Sequence, residues 1–222
     1  MVSVAVGLMV KAPVAGAVKT RLHPPLSYEQ ARDAAVAMLC DCAATVRSTG
    51  AQLWCVHTGP SSDLLPHVPS DARFLPQRGE GLGQRLANAQ NDLHAAGHDQ
   101  VVLLGADCPT VGPSYLRGAI AALDDHELVL GPAIDGGYTL IGSRTPDPGL
   151  FEVEMSTTTV LVDTLARAAD LGRSHRVLAE RTDLDTVGDL LVALEAGWLD
   201  HARHTRAVAE HARRLLEQSA HR

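Results

Sequence analysis

Only two of the 19 cationic residues in this 222-residue chain are lysines, Lys11 and Lys19, and several other familiar features are missing. Positive charge is not in excess: the formal net charge is -7, which excludes an electrostatic grip on nucleic acid or an anionic membrane. The expected partner is therefore a small molecule. No apolar run is long enough to span a bilayer, since the first, Val2–Val10, stops at Lys11 without a basic leader or a small-residue cleavage site. It reads as a buried strand, and the chain as cytoplasmic. Cys40, Cys42, Cys55 and Cys108 form neither a C-x-x-C pair nor a zinc spacing, so they are expected to be reduced thiols. A Walker A loop is absent. No internal repeat or low-complexity linker divides the chain, which predicts one domain over residues 1–222, with a core at 3–197 and a C-terminal helix at 200–217.

What is present alternates. Short apolar runs at Val2–Val10, Gln52–His57, Arg73–Leu75, Gln100–Leu104, Glu127–Leu130, Tyr138–Gly142 and Arg176–Leu178 read as strands, several of them buried on both faces. Between them, 3.6-residue periodicity predicts helices over Tyr28–Arg47, Leu82–Ala96, Pro113–Leu123, Thr158–Leu171, Val187–Ala196 and His201–Glu217. Ser27 and Gln30 make a capping box for the first, and Gly97 fits the stop of the second. This is the pattern of an α/β protein with a largely parallel sheet, whose ligands sit beyond the carboxyl ends of the strands. The last helix is amphipathic, a face able to pack on the domain or on a second subunit of a homodimer. His201 and His204 stand at i, i+3 there, a chelating spacing that reads more simply as surface.

Four loops after strands carry chemistry. The first, residues 11–22, combines Lys11, Gly16, Lys19 and Arg21, and holds both lysines of a chain that otherwise uses arginine. A compact ammonium at a phosphate cradle accounts for that exception. In the second, Gln77 precedes Gly79, Gly81 and Gly83 at a helix start, where backbone amides can approach a nucleotide. The third ends an apolar strand with Asp107, an acid that a buried sheet does not tolerate unpaired and that a hard divalent cation would satisfy. The fourth, Asp135-Gly136-Gly137-Tyr138, joins two strand-like runs and has the form of a hairpin turn. Further on, Asp183, Asp185 and Asp189 surround a helix start, more acids than capping by Asp185 or Thr186 requires. Asp107 and Asp185 together would hold one metal against a pyrophosphate.

The ordered segments 11–22, 105–109, 131–142 and 183–186 together resemble the bacterial glycosyltransferase-A-like family often named nucleotide-diphospho-sugar transferases. The resemblance runs over about residues 3 to 197. It implies a three-layer α/β/α Rossmann-like fold and extends at a distance to molybdenum-cofactor nucleotidyltransferases and phospholactate guanylyltransferases. It also implies Mg²⁺ or Mn²⁺ on Asp107 and Asp185, phosphates on the first loop, and sugar or acceptor near Asp135, Gly136, Gly137 and Tyr138. Catalytic roles fall to Lys19, Asp107 and Asp135. Two departures stand out: there is no classical Asp-x-Asp metal motif, since Pro109 follows Cys108, and Met155 stands where the family usually has Trp. The leading expectation is metal-dependent glycosyl transfer from a nucleotide sugar to a small-molecule acceptor. Nucleotidyl transfer from an NTP to a phosphorylated small molecule is its alternative, and a nucleotide-binding regulator without catalysis is a third reading.

Overall fold

The computed structural model describes residues 2–220. Seven strands form one sheet in the order β3-β2-β1-β4-β6-β5-β7: β1 (Val4–Lys11), β2 (Gln52–Thr58), β3 (Arg73–Pro76), β4 (Gln100–Gly105), β5 (Leu128–Pro132), β6 (Tyr138–Ser143) and β7 (His175–Val177). β1, β2, β3 and β4 are parallel, as are β5 and β7, whereas β6 runs antiparallel to both of its neighbours. The sheet is thus mostly parallel, as expected, and the Asp135–Gly137 turn is the hairpin between β5 and β6. The central strands β1 and β4 are buried on both faces, which is why their sequences read as continuous apolar runs rather than alternating ones.

Six helices complete the layers: α1 (Tyr28–Thr49), α2 (Leu82–Ala95), α3 (Pro113–Asp125), α4 (Val160–Asp170), α5 (Val187–Glu195) and α6 (Arg203–Ala220). The Ser27/Gln30 capping box is formed, and Gly97 takes a φ of 93° beyond the end of α2. α4 begins at Val160, later than its periodicity suggests, and Ser156, at φ 63°, turns the chain before it. α6 begins at Arg203, so His201 lies before the helix and does not share a turn of it with His204.

Three apolar clusters follow from these layers. One buries Leu39, Val46, Leu104, Leu116 and Leu123 under α1 and α3; a second buries Leu86, Leu93, Leu103, Ile141 and Phe151 on the opposite side. The third lies beyond the sheet, where α1, α5 and α6 enclose Leu22, Met38, Leu184, Leu190, Leu199 and Ala209. The apolar face of α6 is therefore covered within the chain. Asp41 of α1 fixes its start, accepting from the Thr205 amide at 2.7 Å and its hydroxyl at 2.8 Å. Among the described residues no helix is long and apolar enough to cross a membrane, and all four cysteines are free.

Candidate active site

The parallel pairing of β1 with β4 puts their carboxyl ends side by side, with Met9 opposite Gly105. From there the chain leaves the sheet twice, once toward Lys19 and once toward Asp107. A third segment joins them, because the Leu184 amide donates to the Asp107 carbonyl at 3.0 Å. Thr110 secures the same junction through its hydroxyl on the Thr182 carbonyl. Leu184 is fully buried in the third cluster with Leu22, so the residues flanking it are turned the other way.

Those flanking residues are Asp183 and Asp185. With Asp107 they offer three carboxylate oxygens within 4.8 Å of one another. A Mg²⁺ or Mn²⁺ ion with oxygen ligands at about 2.1 Å spans about 4.2 Å between opposite ligands. The acids therefore fit such a cation after small side-chain adjustments. Asp189 takes no part: it is the capping-box partner of Thr186 at the start of α5, which leaves the two earlier acids free of capping duty.

Lys19 lies against this cluster. Its Nζ donates to Asp107 Oδ2 at 2.8 Å and to Asp185 Oδ1 at 2.5 Å, and its side chain is 9% exposed. Burial alone would lower the pKa of the ammonium, but the Asp107 and Asp185 charges and hydrogen bonds outweigh it and hold the group above the ordinary lysine range. Asp183 moves the other way. Burial, followed by the charges of Asp107, Asp185 and Asp135, pushes its carboxyl up to about 6. Arg21 reaches Asp185 Oδ2 at 3.5 Å with a largely exposed side chain.

Two hollows meet at these carboxylates. A cleft of about 630 Å³ is bordered by Arg21, Asp107, Asp135, Gly137, Asp183 and Asp185, with Met155–Thr158 along its wall. A smaller hollow of about 240 Å³ lies beneath the first loop, between Lys11, Lys19, Met38 and Leu39, and shares Asp107 and Asp185 with the cleft. Lys11 ties that loop by donating to the Ala17 carbonyl at 3.0 Å.

Lys19, Arg21, Asp107 and Asp185 are thus brought together, and Asp135, Gly137 and the Tyr138 ring face the same cleft. Other expected site residues have different work. The Tyr138 hydroxyl is buried beside Thr164, and burial raises its pKa. Gly136, at φ 90°, lets the hairpin touch the backbone of Thr158, where a Cβ would fall 2.0 Å from the carbonyl oxygen. Gly83 packs on the Phe151 carbonyl, 2.8 Å from where its Cβ would stand. The Gln77 amide group donates to Val56 of β2. Gly81 is the N-cap of α2, and Gly16 turns an open loop at φ 74°.

Sequence reasoning names Asp183 among the acids at the start of α5 but gives it no ligand role, and its finding of no Asp-x-Asp motif is corrected here. Asp183-Leu184-Asp185 is itself such a run. In an extended segment, residues two apart share a side, so a buried Leu184 sends both acids into the cleft.

The model of a family described as "Uncharacterized protein conserved in bacteria (DUF2064)" matches residues 39–157. A phosphoenolpyruvate guanylyltransferase of Chloroflexus aggregans is 30% identical over 139 residues, 61% of this chain and 67% of that protein. A 2-phospho-L-lactate guanylyltransferase of Haloarcula marismortui is 28% identical over 186 residues, 82% of this chain and 83% of its own. A solved structure from Desulfovibrio desulfuricans G20, assigned as a nucleotide-diphospho-sugar transferase, superposes with a TM-score of 0.85 at 24% identity over 96% of this chain and 99% of that one. That similarity shows the three-layer fold that the motifs implied. The match spans more than half of the sequence, and the chain belongs to the DUF2064 family.

Proposed function

We propose that this chain is a metal-dependent transferase of an activated nucleotide, and that its reaction is nucleotidyl transfer from an NTP to a phosphorylated small molecule. One observation carries the reading: Lys19, Asp107, Asp183 and Asp185 converge from three distant segments at the carboxyl edge of the sheet, beside an open cleft. Two relatives are named guanylyltransferases, which supports GTP as the first nucleotide to test.

The residues suit that chemistry. A divalent cation held by Asp107 and Asp185, with Asp183 as third donor, supplies charge neutralisation at the nucleotide phosphates. Arg21, exposed at the mouth of the cleft, is placed to meet an incoming anion. An acceptor phosphate is already an anionic nucleophile, so attack on the α-phosphorus needs no proton removed from it. The bond to the bridging oxygen breaks and pyrophosphate leaves. The free thiols suit the cytoplasm.

Asp183 favours glycosyl transfer as a second reading. A carboxylate at the cleft wall is placed to take the proton of an attacking hydroxyl, which transfer from a nucleotide sugar would require when the anomeric centre inverts.

The test is a thermal-shift titration with GTP, the other NTPs and UDP-, GDP- and ADP-sugars, with and without Mg²⁺ or Mn²⁺, followed by pyrophosphate release in the presence of phosphorylated hydroxy acids. Stabilisation of about 2.7 kcal/mol at 100 times the dissociation constant is the expected scale. Metal-dependent stabilisation by a nucleotide sugar and not by any NTP would move the reaction to glycosyl transfer. No stabilisation by any nucleotide would overturn both.

A further inference from the structure

Every oxygen of the two acids that would hold the metal is already engaged. Lys19 Nζ takes Asp107 Oδ2 and Asp185 Oδ1. The Cys108 thiol stands 3.6 Å from Asp107 Oδ1, and Arg21 stands 3.5 Å from Asp185 Oδ2. A dication that needs an oxygen from each acid must therefore displace a present neighbour or share an oxygen with it.

The backbone at Lys19 is unusual as well. Its φ of 47° and ψ of 37° lie in the left-handed region, one of two positive-φ positions outside glycine among the described residues. Glycine or asparagine would occupy that conformation at lower cost. A lysine there indicates that the side chain is what the position requires.

Lys19 also has somewhere to go. Its side chain borders the small hollow with Lys11, Met38 and Leu39, whereas Arg21 and Asp183 border the cleft. The ammonium reaches the acids from one side and leaves the cleft side to an incoming cation. Charge points the same way: Asp107, Asp183 and Asp185 outnumber Lys19 and Arg21, so the cluster keeps negative charge that a further cation would offset.

We propose that Lys19 is the resident cation of this site, holding Asp107 and Asp185 together in the absence of metal and giving up at least one of them when a divalent cation binds. The inference rests on the reading of these acids as the metal ligands and goes beyond it. It makes metal binding and release of the lysine one event. Bare metal has to compete with an internal cation, so it binds weakly. A metal-nucleotide complex brings phosphate oxygens that receive the freed ammonium, and the exchange becomes favourable.

The direct test is Mn²⁺ binding without nucleotide, followed by the electron paramagnetic resonance of free Mn²⁺, in the wild type, Lys19→Met and Lys19→Arg. Lys19→Met is expected to bind Mn²⁺ at least about tenfold more tightly than the wild type, and Lys19→Arg, which keeps the charge, is expected to stay close to it. Equal or weaker binding by a folded Lys19→Met would overturn the proposal.

The scarcity of lysine provides a second measurement on the unmodified protein. Amine-selective acetylation read by mass spectrometry has only Lys11 and Lys19 as side-chain targets. Saturating Mn²⁺ should speed labelling of Lys19 relative to Lys11, whereas an unchanged or slower ratio would count against exchange even if Lys19→Met failed to fold. The proposed function is judged separately, by metal-dependent GTP stabilisation. If that stands while the two Mn²⁺ tests fail, only the lysine exchange is lost.

Discussion

The two ends of the sheet both gather polar side chains, and they treat them in opposite ways. At the amino end, Trp54 donates its indole N–H to His98 Nε2 at 3.2 Å, and His98 Nδ1 meets the Ser3 hydroxyl at 2.9 Å. His94 lies between the His98 carbonyl at 2.9 Å and the Ser143 hydroxyl at 3.1 Å. Both imidazoles can be neutral, with each ring nitrogen partnered. At the carboxyl end, three carboxylates crowd one lysine and an exposed arginine. The first arrangement is electrically closed and needs no further partner. The second keeps an excess of negative charge inside a cleft, a state that folding alone does not reward. A saturated polar network holds a structure together, while an unbalanced one marks where a ligand completes it.

Removing charge from the open end should have the largest effect. Asp107→Asn is expected to abolish metal-dependent nucleotide stabilisation and to lower turnover by about 10²–10³-fold, read by pyrophosphate release. Retained metal-dependent turnover would mean that Asp107 does not hold the cation. Next comes the support of that end. Leu184→Ala should cost about 2–5 kcal/mol on urea unfolding and also weaken Mn²⁺ binding in the presence of GTP, because the acids on either side lose their anchor. Leu123→Ala, equally buried but in the cluster beneath α3, should cost a similar amount and leave Mn²⁺ binding alone. If both variants lose metal equally, the third cluster has no special hold on the site.

The closed end should give the smallest effect, through pH. Burial holds the His94 and His98 imidazoles below their ordinary 6.5, with the Arg73 charge adding to the effect at His98. In the unfolded chain these groups accept protons first as pH falls. The network's contribution is therefore complete above pH 6.5 and declines as pH drops from there toward the folded values. His98→Gln should flatten the acid side of a stability profile measured by urea midpoints. An unchanged profile would show that these histidines are not what titrates.

Much of this was legible in the sequence because the relevant signals are local. Capping at Ser27, the helix stop at Gly97 and the fully apolar β1 and β4 depend on neighbours in the chain, and each is found where its pattern indicated. The convergence of Lys19 with Asp107 and Asp185 was accessible through their loop positions in a parallel sheet. Other features depend on contacts that no local pattern encodes. Gly81 and Gly83 read as bringing backbone amides to a nucleotide, and Gly136 as part of a hairpin turn. One caps a helix, and the other two make room for distant carbonyl groups. Tyr138 was placed near the sugar or acceptor by the resemblance alone, yet the packing of α4 buries its hydroxyl. The Asp135–Gly137 turn signalled the reversal of β6 against β5, but its insertion beside β4 shows in no residue type.

The ion pair between Lys19 and Asp185 joins positions 166 residues apart, which has a consequence for synthesis. The first loop leaves the ribosome before β4 delivers Asp107. Asp183 and Asp185 follow later still. A nascent chain can therefore assemble much of its sheet while Lys19 has a single carboxylate within reach, and the full acid cluster forms only once residues 183–185 have been made.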